Sequence, residues 1–420
     1  MNTAPRPLLP LEEAVARLVA GTVPHAFGPD RAEAVPAMEA RGRVLAADIA
    51  STLAVPPEDN SAMDGYALRA ADVPAAGTVL PVSQRIPAGV VGAPLAPGTA
   101  ARIFTGAQVP AGADAVVMQE QCEALAEEGS PLGRVRVNAV PAPGTAIRRR
   151  GEDVPLGSLV LARGRRLDPA ALGLAASVGH GTLPCAPRPR VALFSTGDEL
   201  RMPGEPLPPG AIYNSNRFTL RALVEAAGGA VIDLGIVPDR LDATRAALRE
   251  AALASDIVVT CGGVSVGEED HLKPAVAVEG ALEHWQLAIK PGKPLAFGHV
   301  RRGDGSAALF IGLPGNPVSA FVTWLLCGAP VLRVLQGAPA AGPLPIPLRA
   351  DFDWPRPDRR REFLRVKLNA AGGLDLYPNQ GSGVLTSVVW ADGLVDIPPS
   401  TAVRRGDTVA FLPLAALLAG

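Results

Sequence analysis

No excess of charge of one sign marks this sequence: 39 Lys and Arg stand against 41 Asp and Glu in 420 residues, a net charge of -2 at pH 7. A nucleic-acid binder held by basic charge does not fit that balance. Cysteine is sparse as well. Cys122, Cys185, Cys261 and Cys327 lie far apart with no C-x-x-C pair, which argues against a zinc site or a disulfide framework and suits a reducing cytoplasm. The start, MNTAPRPLLPLEEAVARLVA, has no charged head followed by a long apolar core, so no secretory leader is expected. The longest apolar stretch, Val318 to Leu335, is interrupted by Pro330 and Arg333; it is expected to be a buried helix, and no membrane partner is expected. No internal repeat is evident.

What is present is a globular texture. Hydrophobic residues make up 48%, and the 45 glycines and 43 prolines are spread along the chain, which predicts many turns within folded domains, roughly three by length. Leu9 to Ala20 predicts an amphipathic helix with Leu11, Ala14, Val15 and Leu18 on one stripe. From about 50 to 148, short apolar runs broken by Gly and Pro indicate a small β domain. From about 188 to 335 strand-like runs (RVALFSTG, AVIDLGIV, DIVVTCGG, ALFIGLPG) alternate with helix-like ones (NRFTLRALVEAAG, RLDATRAALREAALAS, NPVSAFVTWLLCG). That alternation predicts a parallel sheet covered on both faces. A proline-rich connector follows, and β texture returns in REFLRVKL and GDTVAFLPL.

Open parallel sheets bind ligands beyond the carboxyl ends of their strands. Three loops are expected there: STGDEL (195–200), CGGVSVGEED (261–270) and GLPGNPVS (312–319). Small residues in each let backbone approach a ligand. Asp198, Glu199, Glu268, Glu269 and Asp270, with Asp239 after another strand, supply oxygen ligands suited to Mg²⁺. Lys290 and Lys293 flank a Pro-Gly turn in IKPGKP, and PGNPVSAF opens a helix whose free N–H groups favour an anion. One sheet edge therefore offers an acidic, metal-holding side and a basic, anion-holding side. Each signal alone has a bland reading as a tight turn or a solvated surface run; their convergence on one edge carries the argument. GVSVG (263–267) also spells a nucleophile elbow around Ser265, with Asp270 or Asp304 and His299 downstream. Pro274 and three adjacent acids make it a poor one, and carboxylates there oppose an oxyanion. His271, His284 and His299 lack metal-ligand spacing.

With these residues in hand, the chain resembles the molybdopterin molybdenumtransferases, the MoeA and gephyrin E-domain family. The likeness runs in order through PPEDNSAMDGYAL (56–68), RIFTGAQVPAGADAVVMQE (102–120), IRRRGEDV (147–154), FSTGDEL (194–200), YNSN (213–216), TCGGVSVGEEDHLKP (260–274), AIKPGKPLAFG (288–298) and GLPGNPVSAF (312–321). It implies insertion of molybdate into adenylylated molybdopterin with release of AMP in a Mg²⁺-dependent step. By motif, Asp239 and Asp270 would hold the metal ion. Asp64, Thr105, Asp153, Glu199, Lys290 and Lys293 would serve the reaction, with Lys290, Lys293, Pro294 and Ser319 on the molybdate side. Thr196, Gly197, Asn214, Gly262, Gly263, Ser265, Gly267, Gly315 and Asn316 would line the substrate site. Arg360 or Arg365 would bind the anion, since Arg359 replaces an expected glycine in DRRREFLRV. Ser382 is preferred to Thr386 in QGSGVLTS.

The expected fold is α/β plus β and multidomain. A discontinuous first domain (1–49 and 149–187) carries an inserted β domain (50–148). A parallel α/β molybdopterin-binding domain (188–337) and a C-terminal β domain (338–420) follow. The resemblance further implies a cytoplasmic homodimer whose cleft is completed by the second subunit. Molybdopterin adenylyltransferase and downstream molybdoenzyme maturation proteins are the candidate partners. The alternatives are adenylylation of molybdopterin by ATP, a serine hydrolase at Ser265, and a scaffolding role. Tungstate matches molybdate in size and charge, so the sequence does not separate them.

Overall fold

The computed structural model describes residues 8–263 and 271–419. At its centre is a six-stranded sheet in the order Ala230–Val237, Arg190–Thr196, Ile257–Cys261, Ala307–Leu313, Pro294–Arg301, Gly280–Gln286. The first four strands are parallel, as strand–helix alternation predicts. The last two run antiparallel. A short turn at 302–306 joins Pro294–Arg301 to Ala307–Leu313, and a link that short can only return the chain antiparallel. The Lys-Pro-Gly-Lys loop thus enters a strand that the helix alternation had not announced.

Helices Ser215–Ala226 and Leu241–Ala254 lie on opposite faces, packing Leu220, Leu223 and Val224 into one core and Leu248, Ala251 and Ala252 into another. The apolar stretch after Asn316 is helical from Pro317 to Leu335 and 94% buried in the core; it is the one helix among the described residues long and apolar enough to span a membrane. A π turn at Trp324–Gly328 precedes Pro330. Proline cannot donate the regular helical hydrogen bond, and widening the preceding turn accommodates it.

The amphipathic helix is Leu11–Thr22, with Leu11, Ala14 and Leu18 buried and Val15 partly so. Its stripe packs into the central core with Trp324, Leu332 and Phe363, and the Leu9 amide donates to the Gln286 carbonyl at 2.7 Å. By packing, then, this helix goes with the central layer. The rest of the two flanking segments pair with each other: Glu33–Pro36 with Thr182–Cys185, and Ile49–Ala50 with Leu159–Leu161. Between them a six-stranded sheet runs Ala115–Met118, Gly65–Leu68, Ala100–Ile103, Thr78–Ile86, Ser130–Val137, Cys122–Glu127. The C-terminal sheet is ordered Ile289–Lys290, Arg361–Leu368, Gly393–Ile397, Thr408–Pro413, Ile346–Arg349. Its first strand comes from the central segment, which ties that sheet to the site.

Candidate active site

Parallel register aligns the strand ends. Ser195 is opposite Cys261, and Cys261 opposite Leu313, so the loops beginning at Thr196, Gly262 and Pro314 emerge side by side. They open on a cleft of 820 Å³. Gly262 has φ +95°, and a Cβ there would lie 2.8 Å from the Thr196 carbonyl; only glycine lets the two loops meet this closely. Asn214 caps helix Ser215–Ala226 by accepting the Arg217 amide at 3.2 Å. Asn216 Nδ2 donates to the Gly315 carbonyl at 2.6 Å and to Cys261 Sγ at 3.0 Å, while the Cys261 thiol donates to the Pro314 carbonyl at 3.1 Å. These two side chains clamp three loops around one wall. Ser195 Oγ, Asn214 Nδ2 and Asn216 Oδ1 are buried without a partner among the described residues, a rare condition for polar atoms and one that a bound ligand or water would relieve.

The opposite wall is basic. Lys290, Lys293 and Arg360 line it together with Pro294, Ser319 and Ser382. Its cations are unequally placed. Lys290 is opposite Glu362 across the strand pair, with Nζ 3.0 Å from Glu362 Oε1 and 3.6 Å from Asp358 Oδ2. The first contact is an ion pair without hydrogen-bond alignment. Arg360 grips Asp358 through Nε at 3.0 Å and Nη2 at 2.8 Å. Those bonds hold the Asp358 carboxyl well below the ordinary carboxylate range and raise the pKa of the guanidinium. Lys293 is exposed and has no ion-pair partner among the described residues. Of the two lysines that flank the turn, one is thus anchored and the other has no ion-pair partner among the described residues.

Arg365 sits elsewhere. It is fully buried behind the wall, donating to the Phe363 carbonyl at 3.1 Å, the Gly381 carbonyl at 3.2 Å and Ser387 Oγ at 3.1 Å. Of the two candidate arginines, Arg360 faces the cleft. Ser382 lines the cleft and its carbonyl accepts the Val318 amide at 3.0 Å, whereas Thr386 is hydrogen-bonded to the Tyr377 hydroxyl.

Of the other expected residues, Thr196, Glu199, Asn214, Gly262, Gly315 and Asn316 line the cleft, with Gly197 and Gly263 directly adjoining its loops. Asp239 lies on the same edge, its amide 3.3 Å from Asp198 Oδ1. Ser265, Gly267 and Asp270 fall outside the described residues, as does the elbow motif they belong to. Asp64, Thr105 and Asp153 lie away from the cleft, in or beside the inserted sheet. There Thr105 donates to Asp64 Oδ1 through both amide and hydroxyl at 2.8 Å, holding that carboxyl below its ordinary value. No group of three or more His, Cys, Asp or Glu among the described residues forms a closed metal cage. Asp198 and Asp239 bring two carboxylates to this one edge, and Mg²⁺ needs no more than one or two from a protein, its remaining positions going to water and phosphate oxygens.

Sequence reasoning missed Cys261, Asn216, Asp358 and Glu362. The motif YNSN contains Asn216, but nothing local signals that it bridges distant loops. Burial pushes the Cys261 and Cys327 thiols up to about 12 and Cys122 to about 11, and raises Cys185 as well. A raised thiol pKa leaves the reactive thiolate scarce until the pH approaches that value. Native protein should therefore react with a thiol-selective disulfide reagent only slowly up to pH 9, and fully once unfolded. Rapid modification of any one cysteine below pH 8 would contradict this burial.

The site is thus a sheet-edge cleft with one wall of glycine-bearing loops and one of cations, the arrangement of an anion-binding α/β domain. Residues 192–334 match the profile described as "Probable molybdopterin binding domain". Residues 9–179 match "MoeA N-terminal region (domain I and II)", and 347–414 match "MoeA C-terminal region (domain IV)". The chain belongs to the molybdopterin molybdenumtransferase, or MoeA, family. It is 40% identical over 384 residues to Molybdopterin molybdenumtransferase 2 of Mycobacterium tuberculosis H37Rv, covering 87% of this chain and 90% of the relative. The Haemophilus influenzae molybdopterin molybdenumtransferase is 42% identical over 309 residues, 74% of either chain. The solved molybdopterin biosynthesis MoeA protein of Pyrococcus horikoshii OT3 superposes with a TM-score of 0.80 at 30% identity, covering 96% of this chain and 99% of that one.

Proposed function

We propose that this chain is a transferase of molybdenum cofactor biosynthesis, inserting molybdenum from molybdate into adenylylated molybdopterin with release of AMP. The observation that carries the reading is the single cleft that sets Lys290, Lys293 and Arg360 against the loops at Thr196, Gly262 and Pro314. A tetrahedral dianion suits the cationic wall, where Ser319 and Ser382 add hydroxyl donors. The close glycine loop suits a nucleotide-linked substrate whose phosphates need backbone N–H groups.

Asp198 and Asp239 would hold Mg²⁺, which when bound neutralises phosphate charge between those acids and the substrate; Asp270 belongs to the same assignment. The protein's own part is to bind the oxyanion, orient it toward the molybdopterin, and hold Glu199 and Thr196 at the nucleotide side. Asp64, Thr105 and Asp153 act from a second copy of the chain in a homodimer, since one chain keeps them apart from its own cleft. The supplier of substrate is an ATP-dependent molybdopterin adenylyltransferase, and the consumers are molybdoenzyme maturation proteins. The high-pKa, unpaired thiols suit the cytoplasm. Adenylylation by this chain itself is the less favoured reading, since N- and C-terminal MoeA regions flank the central domain and the relatives bear the name molybdopterin molybdenumtransferase.

The test is AMP release from adenylylated molybdopterin by purified protein, with molybdate and Mg²⁺ each present or omitted. Release that requires both, with active cofactor formed, supports the reading; a folded protein that releases nothing overturns it. Lys293→Ala should raise half-saturating molybdate about tenfold, the loss of one charge-assisted contact worth ~1.4 kcal/mol. An unchanged dependence would place the oxyanion away from this lysine.

A further inference from the structure

We propose that Asp358 is the positioning residue of the oxyanion wall: from behind the cleft, its carboxylate aims Arg360 and Lys290 into it. This rests on the reading of the cleft as a molybdate site. Arg360 and Lys290 line the cleft, whereas Asp358 and Glu362 do not. Asp358 occupies the Nε–Nη2 edge of the guanidinium at 3.0 and 2.8 Å. A guanidinium is a planar fork, so filling that edge directs the remaining N–H groups the other way. The same carboxylate is 3.6 Å from Lys290 Nζ, on its Oδ2. One acid therefore spans both cations.

Asp358 is itself held. Its Oδ1 accepts the Arg360 amide at 3.0 Å in a tight local turn. Its own amide donates to Glu362 Oε2 at 3.1 Å, and the same oxygen accepts Trp354 Nε1 at 2.9 Å. Glu362 is 1% exposed and cannot swing toward the cleft. The result is a braced frame of Trp354, Glu362 and Asp358 on which two long, flexible cationic side chains are stretched before any anion arrives. Fixing such side chains in advance lowers the entropy lost on binding. The two carboxylates also offset two of the three positive charges, so an anion is recognised by the geometry of the N–H groups more than by bulk charge.

Asp358→Asn keeps an oxygen for the Arg360 amide turn while losing the second carboxylate oxygen and the charge. In molybdate-dependent AMP release, half-saturating molybdate should rise about tenfold with the saturated rate within about twofold of wild type. The effect should shrink severalfold in an Arg360→Met background, because Asp358 acts chiefly through that guanidinium, and what is left is the share it exerts through Lys290. Calorimetric titration with molybdate alone should show the same tenfold weakening, independently of turnover. An unchanged or lowered half-saturating concentration, or equal effects with and without Arg360, would overturn the proposal. A wild-type protein that binds molybdate but releases no AMP would defeat the functional reading and leave the calorimetric comparison to decide this one.

Discussion

Gly262→Val should abolish turnover and lower the melting temperature of the central layer by several degrees. Two penalties combine. The backbone at φ +95° is a conformation that β-branched residues avoid, at a cost of about 1–3 kcal/mol. The new Cβ would also sit 2.8 Å from the Thr196 carbonyl, a backbone atom that cannot rotate aside. Relief comes only by parting the loops after Arg190–Thr196 and Ile257–Cys261, which line the cleft on the side proposed for the nucleotide. A total near 3 kcal/mol is expected, together with a fall in affinity for adenylylated molybdopterin of at least about a hundredfold, since displacements of ~1 Å cost that much in a preorganised site. Thermal melting and direct ligand titration check it. A valine variant with normal affinity would mean that the two loops need not touch.

The second large effect separates two arginines that the sequence leaves equivalent. Arg365→Ala should cost about 3 kcal/mol of stability, because it opens a cavity and strips buried acceptors at Phe363, Gly381 and Ser387 of their donor. Burial pushes the Arg365 guanidinium down to about 10, which marks it as a brace already bearing a desolvation cost. Its loss should also loosen the segment carrying Ser382. Arg360→Ala should leave the melting temperature nearly unchanged while raising half-saturating molybdate more than tenfold. Denaturant unfolding and molybdate dependence on both variants check the contrast. The reverse pattern would exchange their roles.

That pair shows where reading from sequence succeeds and where it stops. The parallel strands and their three loops were legible because each strand is a short apolar run ending in small residues, and the rule for sheet edges then places the loops together. Arg365 was not, because the motif offers it and Arg360 alike as anion ligands, and nothing local tells that the strand carrying Arg365 is covered on both sides. The stripe of Leu11, Ala14 and Leu18 announced a buried helix, yet periodicity says only that a face is covered, never by what. Nor could any local pattern pair Lys290 with Glu362, since that contact exists only once Ile289–Lys290 joins a sheet built from the far end of the chain. The acids behind the cationic wall were invisible for the same reason. Asp64, Thr105 and Asp153 were picked out by motif alone, and the chain's own packing does not carry them to the cleft.

The passage of the chain from one sheet to another at the cationic wall has a mechanical side. Ile289–Lys290 is hydrogen-bonded into the C-terminal sheet, and Pro294–Arg301 into the central one. Only Pro291, Gly292 and Lys293 lie between them, and Gly292 is wedged so that a Cβ would meet Thr323 Oγ1 at 2.3 Å. A link this short has no slack. Any tilt of one layer against the other must be taken up within those three residues, which makes the backbone spacing of Lys290 and Lys293 a gauge of the angle between the sheets.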